Sequence, residues 1–152
     1  RGRVCSKKME QQMSINLKTE VFEPVVSRVI ERRDSLSNVK RFQRTGIEGW
    51  LKVEIVAALG NLVKSLQNKG PDIILEDGTN IELKAATDFN KSFFFEPIRK
   101  YGCACIFLGD GDRPERLTNH GESDFEIVGY KVFSDGRNKW ILGLIKPKIT
   151  NR

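Results

Sequence analysis

Between Gly70 and Asp88, two short apolar runs, Ile73 to Leu75 and Ile81 to Ala86, flank the cluster Glu76-Asp77-Gly78-Thr79-Asn80. Strand-length apolar segments on either side of an Asp-Gly turn signal predict a β-hairpin. Side chains alternate between faces along a strand, so Ile81 and Leu83 point into a core while Glu82 and Lys84 share the other face. Asp72 opens the first strand. A carboxylate and an amine held side by side, with a second carboxylate close by, are unusual on an otherwise apolar strand. No other stretch of the chain constrains the fold and its use so strongly.

The register of the hairpin decides whether these groups meet. A two-residue Asp77-Gly78 turn sets Glu76 against Thr79 and Asp72 against Leu83, which turns Asp72 away from Glu82 and Lys84. A loop of three or five residues centred on Gly78 sets Asp72 against Lys84 and gathers all three side chains. If the three form a site, an odd loop or a bulge is expected, despite the Asp-Gly signal for the shorter turn.

Two neighbouring carboxylates suit a hard cation such as Mg²⁺, with waters and a phosphate oxygen completing six oxygen ligands. Such an ion polarises a phosphodiester and lowers the pKa of a bound water. An adjacent ammonium stabilises negative charge or orients the attacking hydroxide. The structural alternative is an aspartate cap plus a surface Glu/Lys face on a half-buried hairpin.

Pro71-Asp72 followed by Glu82-Leu83-Lys84 resembles the motif of the PD-(D/E)XK nuclease superfamily, which includes many restriction endonucleases and junction resolvases. Order, spacing and apolar flanks match from about Gly46 to Leu108. The resemblance implies metal ligation by Asp72 and Glu82, with Leu83 as a further ligand position, and assistance to the water by Lys84. It implies Mg²⁺ as the cofactor, with Mn²⁺ as a substitute. In that family the helix before the first strand often carries another active-site glutamate, a place that either Glu48 or Glu54 fills. Glu48 is favoured because it lies on the first turn and borders the apolar stripe.

The net charge of +6 is unevenly distributed. Residues 1–70 hold fourteen Lys/Arg against seven Asp/Glu, whereas residues 71–152 hold twelve against thirteen. All the excess positive charge precedes the hairpin, which suits a nucleic-acid backbone or, equally, a solvated basic surface. Three cysteines, Cys5, Cys103 and Cys105, form no disulfide framework, so a reducing, cytoplasmic compartment is expected. With a single His, a zinc site lacks partners. No apolar run approaches the ~20 residues of a membrane span. The basic first residues are followed by no apolar segment, so no signal peptide is expected, and the missing initiator Met suggests a processed start.

The length of 152 residues suits one domain. It reads as a basic helical arm (1–45), a catalytic core (46–108), and a loop with a C-terminal β-hairpin (109–152). A short helix or frayed arm is expected near Lys7 to Met13. A second helix starts at Glu23-Pro24, with Val25, Val26, Val29, Ile30 and Arg33 at helical spacing, and fades by Leu36. The connector carries Lys40, Arg41 and Arg44 around Phe42 and is either phosphate-contacting or solvated. Gly46 to Leu66 is the strongest helix, striped by Ile47, Trp50, Leu51, Ile55, Ala58, Leu59, Leu62, Val63 and Leu66. Asn68-Lys69-Gly70 is its expected stop. Phe93 to Phe95 read as core or dimer packing, followed by a short helix from Glu96 with Arg99 and Lys100 near phosphates.

Cys103 to Leu108 reads as a central strand buried on both faces. The Gly109–Ser123 loop, with Arg113, Arg116, Asn119 and His120, is a candidate DNA contact, and His120 itself reads as a loop residue. Phe125–Phe133 and Lys139–Ile145 form a second Asp-Gly hairpin with Trp140 packed inward. The C-terminal half departs from the family pattern, which usually has a helix after the third strand.

These readings predict an α/β chain with a restriction-endonuclease-like mixed central sheet flanked by helices, with helices at its N-terminus. The expected activity is Mg²⁺-dependent hydrolysis of DNA phosphodiesters. A type II restriction endonuclease acting as a homodimer is favoured over a Holliday-junction resolvase or repair nuclease. A non-catalytic DNA-binding domain on the same fold is the alternative from another class.

Overall fold

A computed structural model describes residues 14–39, 44–67, 71–86, 102–111 and 125–148. The expected helix at Lys7–Met13 lies outside them. So do Cys5, Lys40, Arg41 and Phe42, the Phe93–Phe95 cluster with Arg99 and Lys100, and the loop residues Arg113, Arg116, Asn119 and His120. Described α-helices are α1 (Glu23–Glu31), α2 (Arg33–Leu36) and α3 (Arg44–Leu59). Strands are β1 (Val63–Leu66), β2 (Ile73–Leu75), β3 (Asn80–Ala86), β4 (Ala104–Asp110), β5 (Phe125–Ser134) and β6 (Lys139–Pro147). The protein is α/β: N-terminal helices pack on a mixed, open six-stranded sheet of order β1-β2-β3-β4-β6-β5. Among the described strands β3 and β4 run parallel, and the other neighbouring pairs are antiparallel.

The N-terminal helices follow their sequence signals. Asn16 caps a π-helical turn, Leu17–Phe22, by accepting from the N–H groups of Lys18 and Thr19. That turn runs into α1, where Pro24 occupies the first turn, a position whose N–H would have no helical partner. Val21, Val25 and Val29 are fully buried at near-helical spacing. Phe22 reaches back onto β5, where Gly129 leaves room for its ring; a Cβ there would stand 2.7 Å from Cε2.

The long helix ends earlier than its apolar stripe. It stops at Leu59; Gly60–Leu62 form a 3₁₀ turn, and Val63–Leu66 become a strand rather than the last helical turn. Gly60 takes a left-handed conformation (φ +53°), which an L side chain rarely adopts and which terminates a helix. Beyond it Val63 and Leu66 pair with Leu75 and Ile73 of β2. Backbone pairing along β2 outweighs the local helical periodicity.

The sheet has two unlike faces. Ile73, Leu75, Ile81, Leu83, Ala85, Ala104, Ile106, Leu108, Trp140, Leu142 and Leu144 join Ile47, Leu51, Ile55 and Leu59 of α3 in one core. On the other face Glu82 and Lys84 lie opposite Cys105 and Phe107, and Phe107 lies opposite Gly143. Cys105, Phe107, Ile141 and Ile145 are fully buried there, so β4 is apolar on both sides, as its unbroken run requires. The β5–β6 turn is held by Asp135, whose Oδ1 accepts from Arg137 and Asn138 N–H and whose Oδ2 accepts from the indole N–H of buried Trp140 at 2.9 Å.

A candidate carboxylate site at the edge of β3

The β2–β3 turn sets everything at this site. Leu75 N–H donates to Thr79 O at 2.8 Å, and Gly78 N–H donates to Leu75 O at 2.9 Å. Gly78 has φ +91°. These bonds define a three-residue loop, Glu76 to Gly78, in which a tight turn is followed by a left-handed glycine. The loop is odd but is centred on Asp77 rather than Gly78. Ile73 therefore pairs with Ile81, and one step further Asp72 comes opposite Glu82, not Lys84. A slip of two residues preserves the face, so Asp72, Glu82 and Lys84 still share one side.

Asp77 explains the choice of loop. Its Oδ1 accepts from Thr79 N–H and its Oδ2 from Ile15 N–H, both at 2.9 Å. Burial works against its charge, but these N–H groups outweigh burial and hold its carboxyl below the usual range. The Asp-Gly signal is thus spent on closing the longer loop and pinning the N-terminal segment.

β2 is shorter than β3, so the far half of β3 has a backbone edge that β2 does not reach. Leu83 N–H donates to Asp72 Oδ2 at 2.9 Å, and Ala85 N–H donates to Glu48 Oε2 at 3.2 Å. Two carboxylates stand where strand carbonyls would otherwise be. The N–H and C=O of one strand residue point the same way, so the Leu83 carbonyl opens onto this edge beside Asp72. Leu83 itself buries its side chain in the core, so the carbonyl is its one possible ligand atom.

Glu48 reaches the site from the first turns of α3. Glu54 does not. Six helical positions later it points to α1, where it is 3% exposed and bonded to Arg28 Nε at 2.8 Å, with Arg32 Nε at 3.6 Å. Of the two glutamates proposed from sequence, Glu48 joins Asp72 and Glu82, while Glu54 ties α3 to α1. Arg28 lies on α1 and Arg32 caps its C-terminal end, so both guanidinium groups reach the same carboxylate.

The electrostatic cost of the site falls on Glu82. Its carboxyl is pushed up to about 7 by burial first, then by the charge of Asp72 and a side-chain hydrogen bond to it; Glu48 adds to the rise, and Lys84 opposes it. Its Oε1 is buried with no hydrogen-bond partner. A buried carboxylate oxygen without a donor, beside a second carboxylate, calls for a proton or a cation. Among the described residues no three Asp, Glu, His or Cys side chains converge closely enough to enclose an ion by themselves. Two carboxylates and a backbone carbonyl on an open edge fit Mg²⁺, which keeps several waters, and not a closed protein cage. The neighbouring thiols are poor competitors: burial and then the charge of Glu82 push Cys103 up and Cys105 well up.

An open cleft of about 200 Å³ lies against this edge, lined by Glu48, Gly49, Lys52, Asp72 and Leu83. Sequence reasoning passed over Gly49 and Lys52, although Glu48 and Lys52 stand four apart on one helix and so share a face. A larger cleft of about 730 Å³ separates Ser14–Lys18 from the hairpin turn and the ends of β5 and β6. Its carboxylate Asp77 is already committed to backbone N–H groups, so it offers no comparable chemistry. No helix of the described residues is long and apolar enough to cross a membrane. No protein-family model matches this chain, and comparison with curated proteins and with solved structures returns no match.

Proposed function

We propose that this protein is a Mg²⁺-dependent endonuclease of the PD-(D/E)XK kind that hydrolyses DNA phosphodiesters. The observation that carries the reading is the pairing of Asp72 with Glu82 beside the Leu83 carbonyl, with Glu82 Oε1 buried and unpartnered. Asp72, Glu82 and the Leu83 carbonyl would hold the ion, and Mn²⁺ would serve in place of Mg²⁺. A divalent ion so held supplies polarisation of the scissile phosphate and a water of lowered pKa. Lys84, on the same face two residues from Glu82, orients the attacking water and offsets the charge that develops on the phosphate. Glu48 braces the edge through Ala85 N–H and keeps the local field negative until an ion enters.

The uneven positive charge of the chain supplies sequence-independent attraction for a polyanion. A type II restriction endonuclease is the favoured subtype, acting as a homodimer because cutting both strands needs two sites. A junction resolvase or repair nuclease is the next subtype, and branched substrates separate it from a restriction enzyme. One observation favours a different class: Asp72 and Glu48 both satisfy backbone N–H groups of β3, which a non-catalytic DNA-binding domain would also need. That reading gives neither Glu82 nor Lys84 a task.

Digestion of a long DNA decides between them. The nuclease reading expects cleavage in Mg²⁺ or Mn²⁺, none in EDTA, and discrete bands for a restriction enzyme. Asp72→Ala and Lys84→Ala should each abolish cutting while DNA binding persists. Salt-sensitive binding by the wild-type chain with no cleavage in either metal overturns it.

A further inference from the structure

We infer that Lys52, with the open space left by Gly49, forms a seat for a second phosphate of the substrate, so that the site takes a polynucleotide rather than an isolated phosphodiester. This rests on the nuclease reading for the identity of the first phosphate. It concerns the residues that α3 contributes to the cleft, Gly49 and Lys52, and not Asp72 and Leu83 of the hairpin.

Three observations converge. The cleft is lined by the carboxylates of Asp72 and Glu48 and by Lys52, so it presents groups of both signs. A cation belongs with the carboxylates; a phosphate not bound to that cation belongs with the ammonium. Lys52 is half-buried and forms no ion pair within 4 Å with any described carboxylate, although Glu48 stands at i−4 on the same helix. Glu48 turns instead to Ala85 N–H, leaving the ammonium for a ligand. Finally, Gly49 lies between them on the cleft wall, exposed, and a Cβ built there meets nothing within 4 Å. Glycine in a helix interior costs ~1 kcal/mol against alanine, and here no neighbour demands it. Its absent side chain leaves the helix backbone open to close approach. The cleft volume of about 200 Å³ equals roughly seven water volumes at ~30 Å³ each, enough for one phosphate group with part of its hydration.

A contact to a second phosphate has a signature that fold repair does not mimic. Each phosphate neutralised by a lysine adds ~0.9 to the slope of log K against log [salt] on duplex DNA. Duplex binding would be measured in Ca²⁺, from 50 to 200 mM salt, for wild type, Lys52→Arg and Lys52→Gln. Across that fourfold range wild type and Lys52→Arg should lose about 3.5-fold more affinity than Lys52→Gln. In Mg²⁺, Lys52→Gln should raise KM for an oligonucleotide about tenfold, the worth of one charge-assisted hydrogen bond. Hydrolysis of bis(4-nitrophenyl) phosphate, which has no second phosphate, should fall far less than that of the oligonucleotide.

Gly49→Gln supplies the second variant. It should melt no lower than wild type, since glutamine is the better helix former, yet bind DNA more weakly because its side chain enters the cleft. Equal slopes and equal KM for wild type and Lys52→Gln, with wild-type cleavage intact, overturn this inference and leave the nuclease reading standing. Binding without cleavage, but with the slope lowered by about one in Lys52→Gln, has the reverse effect. A wild-type chain that neither binds nor cuts DNA removes both.

Discussion

Glu82→Gln should make the protein more stable at alkaline pH in the absence of metal, while destroying the cleavage activity proposed for it. Glutamine matches the shape of glutamate but carries no charge, so it mimics the protonated form that Glu82 prefers in the fold. The glutamate carboxyl is raised from 4.5 to about 7, by burial first and by Asp72 next. A raised acid contributes stability that is full below 4.5 and is lost as the pH climbs through about 7. The complete linkage over that window is ~3 kcal/mol, and solvent screening of a half-buried group reduces it to ~1–2 kcal/mol. For a chain of this size that is a rise of roughly 3–6 °C in Tm at pH 8, with no difference at pH 4. Urea unfolding of both proteins in EDTA at the two pH values measures it. Divalent cation should then reverse the order at pH 8, because it binds the ionised pair and so stabilises the wild type alone. Identical pH dependence of the two proteins in EDTA would refute the reasoning, since Glu82 would then carry no excess proton.

Gly143→Ala should destabilise the fold by ~1–3 kcal/mol, because the added Cβ would press into the fully buried Phe107 ring, with Cε2 at 2.8 Å; chemical denaturation measures this. Glu54→Ala should cost ~1–3 kcal/mol through loss of the Arg28 and Arg32 pairs, yet leave the cleavage rate per folded molecule unchanged. Glu48→Gln should do the opposite, lowering the rate with little change in stability, and activity assays beside melting curves on the two variants would distinguish the roles. Asp77→Ala should cost ~1–2 kcal/mol by freeing the N–H groups of Ile15 and Thr79, and should speed amide hydrogen exchange at both.

What could be read from the sequence follows from the range of the forces involved. The hairpin, the shared face of Glu82 and Lys84, the start of α1 at Pro24 and the Asp135–Trp140 turn are set within a few residues, so local pattern suffices. The end of α3 is not. Leu62, Val63 and Leu66 continue a helical stripe and also suit a short strand, and only the backbone of β2 decides between them. Glu48 and Glu54 both flank the stripe. Which one meets the sheet depends on where α1 docks, a non-local matter fixed by Arg28 and Arg32. Lys52 was overlooked for a related reason: four residues after a glutamate, it reads as half of a surface ion pair until Glu48 is seen turned elsewhere.

The register of one short turn links stability to chemistry here. Had Asp77-Gly78 closed a two-residue turn, Asp72 would have faced the apolar core, and its charge would have had no donor. The three-residue loop moves it to the polar face and hands it the Leu83 N–H. The carboxylates can therefore be gathered without unfolding the sheet, because two of them replace missing strand partners of β3. The third, Glu82, replaces no strand partner: it shares a side-chain hydrogen bond with Asp72, and its Oε1 is left buried without a donor. A purely structural edge cap needs Asp72 and Glu48 alone. Once ionised, Glu82 adds repulsion to that pair, so its presence argues for a proton at low pH and, above about 7, for a ligand that reverses the sign of the local field, as a divalent cation would.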